Sequence, residues 1–253
     1  MKKIFLLVLL MMSLPANSAT FSGGVSQVDM HNRVVDSKTN LPIVNAKVSL
    51  PKYNYTTYTD SNGNFELEDI DATTILSVEK QGYRPFSLTV SDTSNALTIG
   101  IQKSDAMDIV IESSMMHLGD DNYSKASANA RNFKLRSSGP FFSKNFVMKT
   151  ATLSARNYLV IGSIMGIDTY LARTMGQNSI VNTFASPPEV YFNGTKIAEI
   201  QLNGDNQKIK LPNNLILPER ANEVTIKTGK NLMQTAYIDY DDIEIANLSI
   251  LSE

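Results

Sequence analysis

The sequence contains no cysteine, no tryptophan and only two histidines among its 253 residues. The lack of cysteine excludes disulfide bonds, thiol catalysis and lipid attachment at a cysteine after a leader. The two histidines, His31 and His117, are far apart, and neither begins the H-E-x-x-H motif of zinc hydrolases. We therefore interpret His117, in the stretch MMHLGDD, as a loop or packing residue.

Other catalytic motifs are also missing. The sequence has no G-x-S-x-G element, no P-loop and no dinucleotide-binding glycine pattern. It has no cluster of lysine and arginine, and its formal net charge is −2. An acidic chain of this kind lacks the phosphate-binding charge that nucleic-acid binding requires. We expect neither an enzyme nor a nucleic-acid-binding protein.

The N-terminus has the features of a secretory signal peptide. Lys2 and Lys3 precede a short apolar run at residues 4–12, and Pro15 and small residues follow it. This run is too short to span a bilayer, and no later run approaches membrane length. We expect a signal peptide at residues 1–19, a linker at 20–27, and a protein that is not membrane-spanning. The leader and the absence of cysteine favour a bacterial protein in the periplasm or outside the cell.

Most segments after the leader alternate apolar and polar residues, which is typical of half-buried strands. Seven short segments of this kind between residues 33 and 101, separated by turns such as DSNG at 60–63, predict an antiparallel β-sandwich. Farther on, VYFNGTKIAEIQL at 190–202 predicts a hairpin around Asn193-Gly194. We expect an all-β fold of two antiparallel sandwich domains, at residues 28–103 and 104–253.

Three blocks of the first region resemble a known family. These blocks are RVVDSKTNLPIVNAKVSL at 33–50, YTDSNGNFEL at 58–67 and VEKQGYRPFSLTV at 78–90. They are similar to the carboxypeptidase regulatory-like domain, a small transthyretin-like sandwich. Asn40 and Asn45 stand where that family often has glycine, and asparagine tolerates the left-handed backbone that glycine adopts there. The resemblance implies a transthyretin-like fold and a non-catalytic role.

The second region resembles the jelly-roll sandwiches of the galactose-binding-like class. The resemblance rests on the hairpin at 190–202, the strand-like ANEVTIKTG at 221–229 and the acidic segment that follows. It covers about residues 107–251 and implies a jelly roll, which is a frequent carbohydrate-binding scaffold.

The acidic segment YIDYDDIEIANLSI, at residues 237–250, has four carboxylates within six residues. Three interpretations remain open: a calcium site, a catalytic pair of carboxylates, or a solvated edge strand. A change of period near Ile245 also predicts a β-bulge or a strand that is buried on both faces.

The calcium interpretation depends on a second acidic element, Asp-Asp-Asn at 120–122. The first and last strands of jelly rolls often lie side by side, so the two elements are expected to meet. Calcium binds six to eight oxygen ligands. The predicted ligands of a structural Ca²⁺ are Asp120, Asp121, Asp241, Asp242 and Glu244.

The segment GIDTYLARTMGQN, at residues 166–178, predicts an exposed loop or short helical turn that faces a ligand. Its candidate binding residues are Asp168, Tyr170, Arg173 and Gln177. We expect a non-enzymatic binding protein whose ligand is a carbohydrate. The alternative is a structural, adhesion or envelope-assembly protein whose partner is an envelope protein.

Overall fold

The computed structural model describes residues 31–122, 133–178 and 184–253. The expected signal peptide and linker, at residues 1–19 and 20–27, lie outside the described residues. The described part is nearly all β, with several antiparallel sheets, so the expected fold class is confirmed. None of its helices is long and apolar enough to cross a membrane.

Seven strands form the N-terminal sandwich. They are β1 (Asn32–Asp36), β2 (Lys47–Leu50), β3 (Tyr55–Tyr58), β4 (Asn64–Phe65), β5 (Thr74–Glu79), β6 (Phe86–Val90) and β7 (Thr98–Ile101). One sheet has the order β4-β1-β7 and the other β3-β2-β5-β6, and β1 with β7 is the parallel pair. Every second side chain of these strands enters a shared core, which contains Val34, Val48 and Leu76.

Two turns of this sandwich confirm that asparagine replaces glycine in a left-handed backbone conformation. Asn40 has φ 57° and Asn45 has φ 54°, so both residues adopt the left-handed conformation. Gly63 has φ 77°, and a Cβ there would lie 2.5 Å from the carbonyl oxygen of Val34. These positions allow the short connections between the strands.

Eight strands form the C-terminal sandwich as far as the structure describes it, at residues 109–122, 133–178 and 184–253. They are β8 (Ile109–Leu118), β9 (Phe141–Val147), β10 (Asn157–Met165), β11 (Glu189–Phe192), β12 (Thr195–Glu199), β13 (Gly204–Lys210), β14 (Ala221–Lys227) and β15 (Ile243–Ser252). The α-helix α1 (Tyr170–Thr174) follows β10. Short 3₁₀ helices in the described part of the chain occupy Pro51–Tyr53, Thr150–Ser154 and Asn213–Leu215.

The strand order of this sandwich is that of a jelly roll. One sheet, called here the β8 sheet, has the order β13-β10-β15-β8, and the β9 sheet has the order β12-β11-β14-β9. If the eight strands are counted from one, the two sheets read 6-3-8-1 and 5-4-7-2, with all neighbours antiparallel. Two such four-stranded sheets enclose one apolar core.

The acidic segment leads into a central strand, which begins at Ile243, and all four of its carboxylates are buried. β15 lies between β10 and β8, and all ten of its residues are buried. The interpretation as a solvated edge strand is therefore wrong. The register shifts around Asn247, which has φ 57°. This confirms the expected bulge.

The two sandwiches contact each other through the outer face of the β8 sheet. Ile75 of β5 packs in one cluster with Met115, Met165 and Ala246. Asn247 donates a hydrogen bond to Ser77, and Asp205 accepts one from the backbone of Thr89. Residues 31–253 thus form one compact unit. The position 103/104, predicted as a domain boundary, falls in the segment between β7 and β8.

Candidate functional site

The acidic residues at the start of β15 lie in several different environments. Asp239 accepts hydrogen bonds from the side-chain amides of Asn122 (3.1 Å) and Asn231 (2.8 Å). Burial raises the pKa of Asp239 above its usual value, while the bond from Asn231 opposes this rise. Asp239 therefore has amide partners on two loops and links them.

Asp241 forms a buried pair with Asp168. One carboxylate oxygen of Asp241 accepts the backbone N–H of Asp168 at 3.2 Å, and both side chains are buried. Burial raises the pKa of Asp241 well above its ordinary range, and the neighbouring carboxylate of Asp168 raises it further. The side-chain amide of Asn178 donates to Asp168 at 2.9 Å. Each of the two buried carboxylates therefore disfavours the ionisation of the other.

Asp242 is bound to His117 on β8. The His117 Nε2 atom lies 2.8 Å from Asp242 Oδ1, and its Nδ1 atom lies 2.6 Å from the carbonyl oxygen of Leu135. Burial by itself lowers the pKa of His117, but the hydrogen bonds to Asp242 and Leu135 outweigh burial and raise the pKa. The imidazole is fully buried, and these hydrogen bonds fix its orientation.

Asp121 completes a group of three possible metal ligands. Its backbone N–H donates to Asp242 Oδ1 at 3.2 Å, and its Oδ1 atom lies 3.7 Å from His117 Nδ1. Each of His117, Asp121 and Asp242 has one possible ligand atom, and these three atoms lie within 4.8 Å of one another. The turn after β8 reaches this position because Gly119 has no side chain. A Cβ there would lie 2.0 Å from Asp242 Oδ1.

Glu244 lies beside this group on the same face of the β8 sheet. It is directly opposite His117 in the register of β15 and β8, and its exposure is 0%. Among the described residues, neither of its carboxylate oxygens has a hydrogen-bond partner. Burial raises the pKa of Glu244 to about 7, while the charges of His117 and Lys52 lower it. Lys52, from the N-terminal sandwich, is itself buried and donates to the carbonyl oxygen of Thr73 at 3.0 Å.

The five acidic residues predicted as calcium ligands are thus only partly assembled. Asp121 and Asp242 come together, Asp241 pairs with Asp168, and Asp120 accepts the backbone N–H of Tyr240 at 3.0 Å. Sequence reasoning missed His117 as a member of the group. The available signal was a histidine one residue before the end of a strand, with the Gly-Asp-Asp of a tight turn after Leu118.

The four candidate ligand-binding residues also have different surroundings. Asp168 is buried, and the Gln177 amide makes two hydrogen bonds to the backbone of Asn203. Tyr170 is 67% exposed and stacks on Phe184, with ring centroids 5.9 Å apart. The Arg173 guanidinium lies 4.8 Å from the centroid of the same Phe184 ring.

Exposed apolar residues adjoin this stack. The backbone N–H of Leu232 donates to the carbonyl oxygen of Phe184 at 2.7 Å, which joins the loop between β14 and β15 to the stack. Leu232 is 61% exposed and Met233 is 58% exposed. We call this set the tip surface; it comprises Tyr170, Arg173, Phe184, Leu232 and Met233.

A cleft lies at the end of the β9 sheet. Its volume is about 550 Å³, and its lining includes Phe141, Glu189, Lys227, Lys230 and Tyr240. Phe141 is 58% exposed. The ammonium of Lys230 lies 5.8 Å from the ring centroid of Tyr240. The cleft therefore combines two aromatic rings with charged groups.

Comparison with known families assigns the first sandwich. Residues 32–111 match the CarboxypepD_reg-like domain, which confirms the resemblance expected for this region. The β-rich region that follows is not assigned to a family. A search among curated proteins found no match to the chain.

Proposed function

We propose that this chain is an exported, non-enzymatic binding protein whose jelly roll binds carbohydrate in the cleft at the end of the β9 sheet. The CarboxypepD_reg-like domain at residues 32–111 supports the non-enzymatic part of the proposal, because it is consistent with a non-catalytic β domain. The N-terminal Lys2-Lys3 and the apolar run at 4–12 support export.

The composition of the cleft carries the carbohydrate proposal. Sugar rings pack their apolar C–H faces on aromatic rings, while their hydroxyl groups bind charged and amide groups at the rim. Phe141 and Tyr240 provide the aromatic rings, and Glu189, Lys227 and Lys230 provide the charged groups. A volume of about 550 Å³ lies within the usual range for small-ligand sites.

The test is electrophoresis of the protein through gels that contain one of a panel of soluble polysaccharides. At least one polysaccharide is expected to retard the parent protein, and Phe141→Ala is expected to remove the retardation. Tyr170→Ala is the matched control, because it removes an exposed aromatic ring outside the cleft. Unchanged migration of the parent protein in every gel contradicts the proposal.

The tip surface favours a second candidate function, the binding of an envelope protein. Its exposed members include the aliphatic side chains of Leu232 and Met233 and the aromatic ring of Tyr170, and the backbone of Leu232 is bonded to that of Phe184 under this ring. Methionine and tyrosine are enriched in protein interfaces, and contiguous exposed apolar groups often mark such surfaces. Sugar rings pack mainly on aromatic rings, so exposed aliphatic side chains favour a protein partner over a carbohydrate.

This second candidate is tested by a photo-crosslinking amino acid at position 232 in intact cells. A discrete crosslinked product with an envelope protein is expected, and Tyr170→Ala is expected to weaken it. The control carries the same amino acid at position 41, because Leu41 is 64% exposed on the N-terminal sandwich. Equal products at positions 232 and 41 count against a specific interface.

The structural calcium expected from the acidic segment has less support in this proposal. The group that comes together contains the imidazole of His117 as well as two carboxylates. Calcium takes oxygen ligands, so an imidazole in the group favours a different ion.

A further inference from the structure

We infer that His117, Asp121 and Asp242 form a site for a divalent transition-metal ion, with Zn²⁺ as the representative ion. One ligand atom from each residue lies within 4.8 Å of the others. His117 Nε2 and Asp242 Oδ1 are 2.8 Å apart, a hydrogen-bond distance, and an opening to about 3.4 Å would let both atoms bind one tetrahedral ion at about 2.1 Å. The site lies on the outer face of the β8 sheet and does not depend on the ligand of the cleft.

The orientation of His117 presents the correct atom to a metal. The carbonyl oxygen of Leu135 can only accept a hydrogen bond, so the Nδ1 atom at 2.6 Å carries a proton. Without a metal, the Nε2–H donates to Asp242, and a metal ion bound to Nε2 would replace that proton while Nδ1 keeps its own. Metal-binding histidines commonly donate their second ring N–H to a backbone carbonyl or carboxylate in this way. The ring of Phe133, 4.9 Å from the imidazole, also contacts it.

Glu244 provides an independent observation that points to a cation. Its carboxylate is fully buried, lies opposite His117 in the strand register, and has no hydrogen-bond partner among the described residues. A buried carboxylate without a partner is unfavourable unless a cation or a proton compensates its charge. Lys52 is the nearby ammonium that interacts with it, but its hydrogen bond goes to the carbonyl oxygen of Thr73.

The charges of the cluster also suit a divalent ion. Asp121, Asp242 and Glu244 contribute three negative charges when ionised, and Lys52 contributes one positive charge. A divalent cation bound to neutral His117 brings the cluster to zero net charge. The ion would also connect β8, β15 and the turn after β8.

The donor set selects the type of ion. Imidazole nitrogen binds zinc, nickel, copper and iron well, whereas calcium and magnesium bind oxygen ligands. One imidazole with two carboxylates therefore favours Zn²⁺ over Ca²⁺. The site differs in this respect from the calcium site expected from the acidic residues alone.

The inference is tested with the purified chain after removal of metals by a chelator. Isothermal titration with Zn²⁺ is expected to show one ion per chain, and titration with Ca²⁺ is expected to show binding at least tenfold weaker. Substitution with Co²⁺ is expected to give visible absorption bands that report its ligands. The absence of stoichiometric Zn²⁺ binding, or tighter binding of Ca²⁺ than of Zn²⁺, overturns the inference.

Single substitutions then locate the ion. Asp121→Asn is the most informative variant, because the Asp121 side chain is 41% exposed and its replacement is compatible with folding. Asp121→Asn and His117→Gln are each expected to weaken Zn²⁺ binding at least tenfold. The controls are His31→Gln, which removes the other histidine, and Asp239→Asn, which changes a carboxylate of the same acidic segment that binds amides.

Circular dichroism checks that each variant is folded. Zn²⁺ affinity that is unchanged in Asp121→Asn and in a folded His117→Gln overturns the site. Affinity that is lost equally in the His31→Gln control also overturns it, because this result assigns the ion to other residues.

Discussion

Gly119 is the residue that allows the turn after β8 to approach β15. A Cβ at this position would lie 2.0 Å from Asp242 Oδ1 and 2.9 Å from the Asp242 Cα, so a side chain would move the backbone. The contact between the turn and Asp242 depends on this close approach. The same glycine is thus needed for Asp121 to join His117 and Asp242.

We predict that Gly119→Ala destabilises the protein by about 2 kcal/mol or more, since the added methyl group overlaps main-chain and side-chain atoms of Asp242. Urea unfolding measures this change. Gly139→Ala is the matched control, because Gly139 also has a positive φ (114°) but a Cβ there would have nothing within 4 Å. Equal losses in the two variants would attribute the effect to backbone strain alone and contradict the prediction.

Glu112 makes the free energy of unfolding depend on pH. It accepts hydrogen bonds from Ser114 and from the ammonium of Lys144 at 2.9 Å. Burial tends to raise the pKa of Glu112, but these hydrogen bonds outweigh it and lower the pKa from 4.5 to about 2. A folded-state pKa below the unfolded value means that the ionised carboxylate stabilises the fold.

We predict that this stabilisation is present above pH 4.5 and is lost as the pH falls towards 2. Its size is about 1–2 kcal/mol, because the Glu112 side chain is 23% exposed and solvent screens part of the effect. Glu112→Gln should be less stable than the parent at pH 7, and the two should converge near pH 2. Unfolding curves measured at several pH values check this, and a constant difference down to pH 2 contradicts it.

The candidate metal group could be predicted only in part from the sequence. The sequence shows the acidic residues as two short clusters, at 120–122 and 239–244. The two clusters are expected to lie close together because the first and last strands of the C-terminal sandwich are neighbours, and β8 does pair with β15. The participation of His117 was not visible, because it depends on the register that places His117 opposite Glu244 and on the buried carbonyl of Leu135. Neither feature has a local sequence signal, and the position of His117 shortly before Gly-Asp-Asp indicates only that it lies close to the turn.

At the scale of elements, the position of β15 determines where most residues of the candidate metal group lie, since β15 contains Glu244 and begins directly after Asp242. Period-2 alternation predicted most strands, and the phase change predicted the bulge at Asn247. The start of the strand was not predicted, since Asp239, Asp241 and Asp242 alternate like strand residues but form hydrogen bonds with loops. The pairing order of the strands comes from contacts between distant segments and has no local pattern.

The bulge can be tested at Asn247. Its φ of 57° suits asparagine or glycine and is unfavourable for a β-branched residue. We predict that Asn247→Gly costs less than about 1 kcal/mol, whereas Asn247→Val costs about 2–3 kcal/mol because strain is added to the loss of the hydrogen bond with Ser77. Urea unfolding compares the two variants, and equal costs would show that the backbone conformation is not the cause.

At the scale of the whole molecule, the two sandwiches share a buried interface that lies next to the candidate metal group. Ile75 of β5 is fully buried and packs on Met115, Met165 and Ala246 of the β8 sheet, and Lys52 faces Glu244 across the same boundary. Side chains of both sandwiches are therefore buried only when the two are in contact. This coupling argues for a single cooperative unfolding transition of residues 31–253.

We predict that the parent chain unfolds in one calorimetric transition and that Ile75→Asp separates it into two. The added carboxylate would be buried among apolar side chains without a partner, which costs several kcal/mol at the interface while the core around Leu76 is unchanged. Val44→Asp is the control, because Val44 is 48% exposed on the same sandwich.

A single transition in Ile75→Asp, merely shifted to lower temperature, would mean that the two sandwiches remain coupled through contacts such as that of Asp205 with Thr89. Two transitions already present in the parent chain would mean that the interface contributes little to either sandwich.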